Sequence, residues 1–419
     1  MRNMRDSDVE WIGLIPEEWS LIRFKDKWSN KKEIAGDKAE QYERLALTLN
    51  GVIKRPKDDS EGLQPKAFDG YQVLRENDFV FKMIDLQNIS TSRVGLSPYT
   101  GLVSPAYIRF TPKVNNQYSK FAYYFLMSMY YNCVYNSLGG DGVRSALNAN
   151  DMGNFNIPWP DEVTQKKIAE FIDGQIAKVD ALISNVQSQI EKLKAYKQSI
   201  ITEVVTKGLD PTVPMKDSGI RWLGQIPEHW EVVKTGRLFK ENNRKPQDGD
   251  IPLSLSQADG LIATDDMKES SLKTSSYDNW KRVVMDDLVL NRFKAHLGVL
   301  FSSTLEGMVS FHYGVYEAKK SLNSKYFEYL YHSDYYKAIL GSMSNGMVLG
   351  LQNLSNQNFY SVWSLFPPID EQNEIVNYLN LKFEKVDQLI ATKQKKIDKL
   401  NEYKKSLIYE YVTGKKEVQ

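Results

Sequence analysis

Two long stretches of the chain carry apolar side chains at spacings of four and three. In the first, Ile172, Ile176, Val179, Ile183, Val186, Ile190 and Leu193 follow one another without a break, and Ile200 and Val204 resume the stripe after Lys197. In the second, Leu379, Phe383, Val386, Ile390, Ile397, Leu400, Leu407 and Tyr411 form the stripe, interrupted by Lys393 and Lys404. This periodicity predicts two helices, each with one apolar seam. Pro158 and Pro160 precede the first and Pro367 and Pro368 the second, while Gly208, Pro211 and Gly414 mark their ends. Each run exceeds 40 residues, against about 11–12 for an average globular helix, and would form a rod about 60 Å long. Core helices of separate domains would also be striped. The length and the matching seams favour pairing with each other, as an antiparallel coiled coil that spaces two bodies.

Outside these rods the pattern shortens. Asp78–Ile84, Leu288–Phe293 and Ser104–Pro112 read as short strands between turn residues. Ser119–Leu138 and Ser324–Ser342 read as short aromatic-rich helices whose tyrosines recur at helical spacing, as packing residues do.

The chain also repeats itself. "RDSDVEWIGLIPEEW" (5–19) returns as "KDSGIRWLGQIPEHW" (216–230), an offset of 211. Gln165–Thr206 aligns without gaps on Gln372–Thr413 at an offset of 207, with 18 identities in 42 positions. Between these anchors the halves diverge, leaving faint echoes: "GLVSPAY" (101–107) against "GMVSFHY" (307–313), and "GVRSAL" (142–147) against "GMVLGL" (346–351). The first helix start, "IPWPDEVTQ", differs from the second, "FPPIDEQ", by what reads as one inserted residue. A period this long is a duplicated domain. The class is α+β, with two duplicated α/β bodies at 1–160 and 209–367 separated by long helices at 161–208 and 368–419. In each copy the tryptophans and proline of the opening phrase (Trp11 and Trp19; Trp222 and Trp230) are expected to pin the chain against its body and the helix base.

Composition changes this picture little. Hydrophobic residues make up 42% and charged residues 26%, with a formal net charge of +1, so any nucleic-acid contact must come from local patches. No apolar run nears the roughly 20 residues of a membrane span, and the N-terminus lacks an apolar signal core. The single cysteine, Cys133, fits a reducing cytoplasm and is expected to be a buried apolar residue. Catalytic signatures are missing. His229, His296, His312 and His332 show no metal-ligand spacing. There is no phosphate-binding glycine loop. "FPPI" (366–369) lacks the acidic or amide residue of an amino-methyltransferase motif. Adjacent carboxylates such as Asp58-Asp59 and Asp286-Asp287 read as solvated turns. The sequence thus predicts a recognition or scaffolding chain with no catalytic residue, no metal and no cofactor of its own.

Candidate DNA contacts lie in short basic stretches of the bodies: Lys54 and Arg55 (with Lys57), Lys82, Arg93, Arg144, and Asn291, Arg292 and Lys294. Lysine and arginine hold phosphates, and arginine and asparagine can pair with base edges. Taken singly, each residue of this kind is more often a solvated surface charge. Arg144 lies on a glycine-containing loop that recurs in the other half, where it could also be a structural turn.

At this point "GLDPTVPMKDSGIRWLGQIPEHWE" (208–231) with "PPIDEQNEIVNYL" (367–379) resembles the specificity subunits of type I restriction-modification systems, over the whole chain. The resemblance implies two target-recognition domains, each reading one half of a split, asymmetric double-stranded DNA sequence, spaced by an antiparallel coiled coil. It implies two methyltransferase subunits that bind S-adenosylmethionine, and restriction motor-nuclease subunits that use ATP and Mg2+. The competing expectation is a coiled-coil scaffold whose paired bodies bind proteins and not DNA.

Overall fold

The computed structural model describes residues 2–59, 65, 67–86, 88, 91, 93–114, 119–138, 146–267, 277, 279–346 and 353–418. The chain divides into two compact units, Met1–Val186 with Lys395–Gln419, and Gln187–Gln394. Four helices organise them: α1 (Ser119–Tyr131), α2 (Glu162–Lys207), α3 (Ser324–His332) and α4 (Ile369–Val412). The division between units falls inside α2 and α4, so each unit contains a segment of both long helices.

Within the first unit the opening phrase folds as an antiparallel hairpin, Met4–Asp6 against Leu14–Pro16. The next strand, Ser20–Arg23, pairs with Asn156–Trp159, the strand that leads into α2. The second unit repeats both steps, with Met215–Asp217 against Gln225–Pro227 and Glu231–Lys234 against Trp363–Phe366. The leading strands Asn156–Trp159 and Trp363–Phe366 keep the 207 offset of the helices. The inserted residue expected at the first helix start is therefore not there. Buried Gln165 donates its side-chain amide to the Pro160 carbonyl at 2.7 Å, and Gln372 does the same to Pro367 at 2.8 Å.

The bodies duplicate strand for strand where their sequences had diverged. Trp28–Ser29, Ile108–Pro112, Phe79–Phe81 and Val94–Leu96 form one antiparallel sheet in the first unit. Phe239–Glu241, Tyr313–Ala318, Leu288–Asn291 and Leu300–Ser302 form it in the second. The hairpin Arg44–Thr48/Gly51–Arg55 has its counterpart in Leu253–Ser256/Gly260–Ala263. The pair Gln72–Leu74/Gly101–Val103 has its own in Lys281–Val283/Gly307–Val309. One close approach explains the shared glycine of the echo motifs. A Cβ on Gly101 would stand 2.6 Å from the Glu43 carbonyl oxygen, and one on Gly307 would stand 2.5 Å from that of Ile251.

The predicted strands are shorter than their sequence windows. Leu288–Asn291 ends where Arg292–Leu297 winds into a 3-10 turn. Each aromatic helix also splits. α1 stops at Tyr131 and a second helix runs over Val134–Leu138, while Ser333 separates α3 from Asp334–Ser342. Cys133 lies in the first of these breaks, with a left-handed φ of 57° and an exposed side chain. The expected burial of Cys133 is thus corrected: the turn that breaks the helix carries it out of the apolar face.

Trp19 and Trp230 are buried, at 2% and 0% exposure. In the first unit Ile12, Ile15 and Trp19 join Phe121, Ile168, Ile172, Leu407 and Val412 in one core. In the second, Ile226 and Trp230 join Val204, Val205, Phe327, Ile375 and Leu379. The Trp230 indole also donates to Glu371 in the first turn of α4, at 2.9 Å. The repeated phrase is therefore a clasp between a body and the ends of the long helices.

The long helices run antiparallel within each unit: the Phe171 and Tyr411 rings meet at 4.6 Å in the first, and Lys197 meets Asp387 in the second. Ile172, Val179, Val186, Ile190, Leu379, Phe383, Val386, Ile397 and Leu407 are buried. Ile176, Ile183, Leu193, Ile390 and Leu400 are half-buried. No helix among the described residues is long and apolar enough to cross a membrane.

Candidate nucleic-acid interface

In the first unit, Lys54 and Arg55 stand on the hairpin strand Gly51–Arg55 and line one open groove of about 490 Å³ with Gln41, Tyr42, Arg44 and Lys57. Each cation has a carboxylate beside it. Lys54 Nζ lies 2.6 Å from Glu43, Arg55 Nε 2.5 Å from Asp59, and Lys57 Nζ 3.1 Å from Glu40. The hydrogen bond to Glu43 holds the Lys54 ammonium above its ordinary pKa. Exposed pairs of this kind contribute little to stability, so an incoming phosphate competes with the carboxylates at little cost. Lys82 is half-buried and donates to the Thr91 hydroxyl at 3.0 Å.

Arg93 is not a groove residue. It is 1% exposed and donates to four main-chain carbonyls, those of Lys82, Ile84, Asp85 and Asn88, at 2.6–3.1 Å. Burial pushes its pKa below the ordinary guanidinium value. Its role is to staple the loop after Phe79–Phe81, which corrects the expectation of a DNA contact. Arg144 lies outside the described residues.

Two of the three candidates in the second unit are likewise turned inward. The Asn291 side chain caps the 3-10 turn, accepting from the amides of Phe293 and Lys294 at 3.1 and 3.3 Å. Arg292 donates to Glu241 at 2.6 Å and to Asn356 at 2.7 Å. Lys281 reaches the same Glu241 at 2.7 Å. Burial opposes the charged form of Glu241, but Lys281, Arg292 and Asn356 outweigh it and hold its pKa below the usual glutamate value. Asn291 and Arg292 thus build the platform and do not face a ligand, contrary to the sequence expectation. Lys294 alone of the three is exposed, and its ammonium makes no hydrogen bond or ion pair among the described residues.

Sequence reasoning passed over the apolar side chains next to Lys294. Phe293 and Phe311 are 37% and 50% exposed and both pack on the exposed ring of His312, at 5.7 and 3.9 Å. The available signal was "SFHY" where the first half has "SPAY". Among the described residues no group of histidine, cysteine and carboxylate side chains could hold a metal. His332 is half-buried and its Nε2–H donates to the Leu300 carbonyl oxygen at 2.8 Å, and burial holds its pKa down.

The duplicated bodies, the clasps and the antiparallel helix pairs define a class: two duplicated α/β units, each containing a segment of both long helices. Residues 25–192 match the family described as the type I restriction modification DNA specificity domain. Two proteins of Methanocaldococcus jannaschii are similar to this chain. The MjaX type I restriction enzyme specificity subunit is 25% identical over 284 residues, covering 65% of this chain and 62% of that protein, so the match spans less than two thirds of its length. The MjaVIII specificity subunit is 23% identical over 422 aligned positions, covering 96% of this chain and 93% of that protein. A solved structure, described as "Structural basis underlying complex assembly and conformational transition of the type I R-M system", shares the fold with a TM-score of 0.64 at 14% identity. It covers 95% of this chain and 98% of its own. Residues 25–192 thus match the type I DNA specificity domain, and the chain over nearly its whole length is similar to a type I restriction enzyme specificity subunit.

Proposed function

We propose that this chain is the DNA-recognition subunit of a type I restriction-modification complex, and that its two bodies read two different parts of one split double-stranded target. The observation that carries this reading is a strand-for-strand duplicated framework whose exposed loops differ, on a chain bearing the family's DNA specificity domain. Identical loops would favour a symmetric target, and different loops an asymmetric one.

The chain itself does no chemistry in this reading. Methyl transfer and ATP-driven cleavage belong to partner subunits, two methyltransferases and the restriction motor-nucleases, which bring S-adenosylmethionine, ATP and Mg2+. The complex works in the cytoplasm. Support for two copies of one partner comes from the long helices. Leu182 and Leu389 are 48% and 51% exposed, and Tyr196 and Tyr403 are 49% and 52% exposed. Both pairs are related by the 207 offset, so each unit presents a matching exposed leucine and exposed tyrosine from its helix pair. Two like partners could use them in the same way.

The test is DNA binding by the full chain assembled with its methyltransferase partner, across a salt series. Phosphate contacts make log affinity fall linearly with log salt. Specific binding with such a slope is expected, and salt-independent or absent binding would overturn the reading.

A further inference from the structure

We propose that the loops 292–297 and 310–313 of the second unit form its base-reading surface, with Phe293, Phe311 and His312 as an aromatic wedge and Lys294 as its phosphate contact. This rests on the DNA-recognition reading above and assigns that reading to particular side chains.

The first ground is exposure on a rigid base. Phe293 and Phe311 leave much of their ring surface in water, and each packs on the ring of His312. The neighbouring Leu297 is 42% exposed. Leaving such surface in water forgoes burial that the same chain achieves for most of its phenylalanines. The backbone that presents them is well held. Asn291 caps the turn, Gly298 closes it with a φ of 72°, and Arg292 ties it to Glu241 and Asn356. The Tyr313 amide closes the other loop on the Ser310 carbonyl at 3.0 Å.

The second ground is charge. Lys294 follows Phe293 directly and has no carboxylate partner among the described residues, whereas Lys54, Arg55 and Lys57 each have one. Exposed rings beside a cation are the combination that stacks on bases, or wedges between them, while holding a phosphate.

The third ground is asymmetry. Strand pairing sets the correspondence: Phe81 faces Ile108 as Leu290 faces Gly314. The places of Phe293, Lys294, Phe311 and His312 are then taken in the first unit by Ile84, Asp85, Pro105 and Ala106. Inverting the charge and removing the rings leaves a surface unsuited to the same sequence. Two units reading different half-sites need such a difference at corresponding positions, while the framework stays the same.

The experiment uses the full chain with its methyltransferase partner. The probe is a duplex carrying the sequence that the wild-type complex methylates, identified by methylome sequencing, together with duplexes altered in one half-site or the other. Phe293→Ala with Phe311→Ala is expected to weaken target binding about 10- to 100-fold. It should also erase discrimination in one half-site and leave the other intact. Lys294→Ala should weaken target and unrelated duplexes alike and reduce the salt slope by about one. Phe293→Tyr keeps the ring and should retain binding, which separates loss of stacking from loss of folding. Ile84→Ala should leave the half-site affected by the phenylalanine pair unchanged. Wild-type affinity and discrimination in the phenylalanine variants would overturn the assignment while leaving the DNA-recognition reading standing. So would variants that fail to assemble with the methyltransferase yet bind the target normally, since the patch would then be a protein interface. A wild-type complex that binds no duplex would remove both.

Discussion

Lys404 of α4 places its Nζ 2.8 and 3.1 Å from the two carboxylate oxygens of Asp180 on α2. The same pair is written again in the second unit, where Lys197 of α2 meets Asp387 of α4 at 2.7 and 2.8 Å. Lysine corresponds to lysine and aspartate to aspartate at the 207 offset, with the helices exchanging roles. The lysines that interrupt the apolar seams at these two positions are thus cross-helix clamps. Because the aspartates are half exposed, each clamp is worth about 0.2–1 kcal/mol. Lys404→Ala should lower stability by that amount at low salt and by less at high salt, read by denaturant titration. A loss that does not respond to salt would mean that the aliphatic stem, and not the charge, is what matters.

Lys393 is the remaining interruption, at the place where the first copy has buried Val186. It is half-buried and donates to Gln189 at 2.5 Å. Gln189 makes further interactions, so removing the lysine does not orphan it. Lys393→Leu restores an apolar seam position and is expected to gain about 1 kcal/mol, which is about 2–4 °C in melting temperature for a unit of this size. A fall in melting temperature would show that the Gln189 contact outweighs the apolar gain.

Glu241 gives a pH prediction. Its folded pKa lies below the usual glutamate value, so its stabilising contribution is complete above the unfolded glutamate pKa of about 4.3. The contribution is lost as pH falls through the folded value. Glu241→Gln should cost about 1–3 kcal/mol at pH 7, and the gap from wild type should narrow on acidification. Chemical denaturation at pH 7 and below pH 4 measures it, and a gap that widens in acid would contradict the pairing with Lys281 and Arg292.

Arg93 separates a structural from a DNA-contacting arginine. Arg93→Met removes the buried donor to four main-chain carbonyls and should destabilise the first unit by about 3 kcal/mol. The salt slope of DNA binding by the surviving folded complex should not change. A reduced slope with unchanged stability would return Arg93 to the interface.

The long helices were legible because a four-three apolar period over more than 40 residues has no competing reading. The duplication was legible because Trp19 and Trp230 are buried in the core of their own unit, and Gln165 and Gln372 make the same bond to a carbonyl five residues upstream, so they stay the same residues. The bodies were not, because equal strands are held by unlike partners. Asp78 takes Arg109 from the strand Ile108–Pro112, at 2.5 Å. Its counterpart Asp287 takes Arg244, which follows Phe239–Glu241, at 2.6 Å. The interface was misread for a related reason. A basic residue next to a strand can face solvent or fold back, and the carbonyls that capture Arg93 and the carboxylate that captures Arg292 are set by tertiary structure. Gly101 and Gly307 did carry the common topology into the sequence, through a backbone approach that leaves no room for a Cβ. Gly307→Ala is accordingly expected to cost about 1–3 kcal/mol, checked by thermal melting. A neutral result would mean that the strands can part without loss.

The central claim is that the two bodies read separate halves of one target. Methylome sequencing of cells carrying a chimera tests it most directly, with residues 1–160 replaced by the corresponding body of a relative and both partners kept. A changed half-site beside an unchanged one, with the spacer length retained, is the predicted result. A contiguous palindromic target, or both halves changing together, would contradict it.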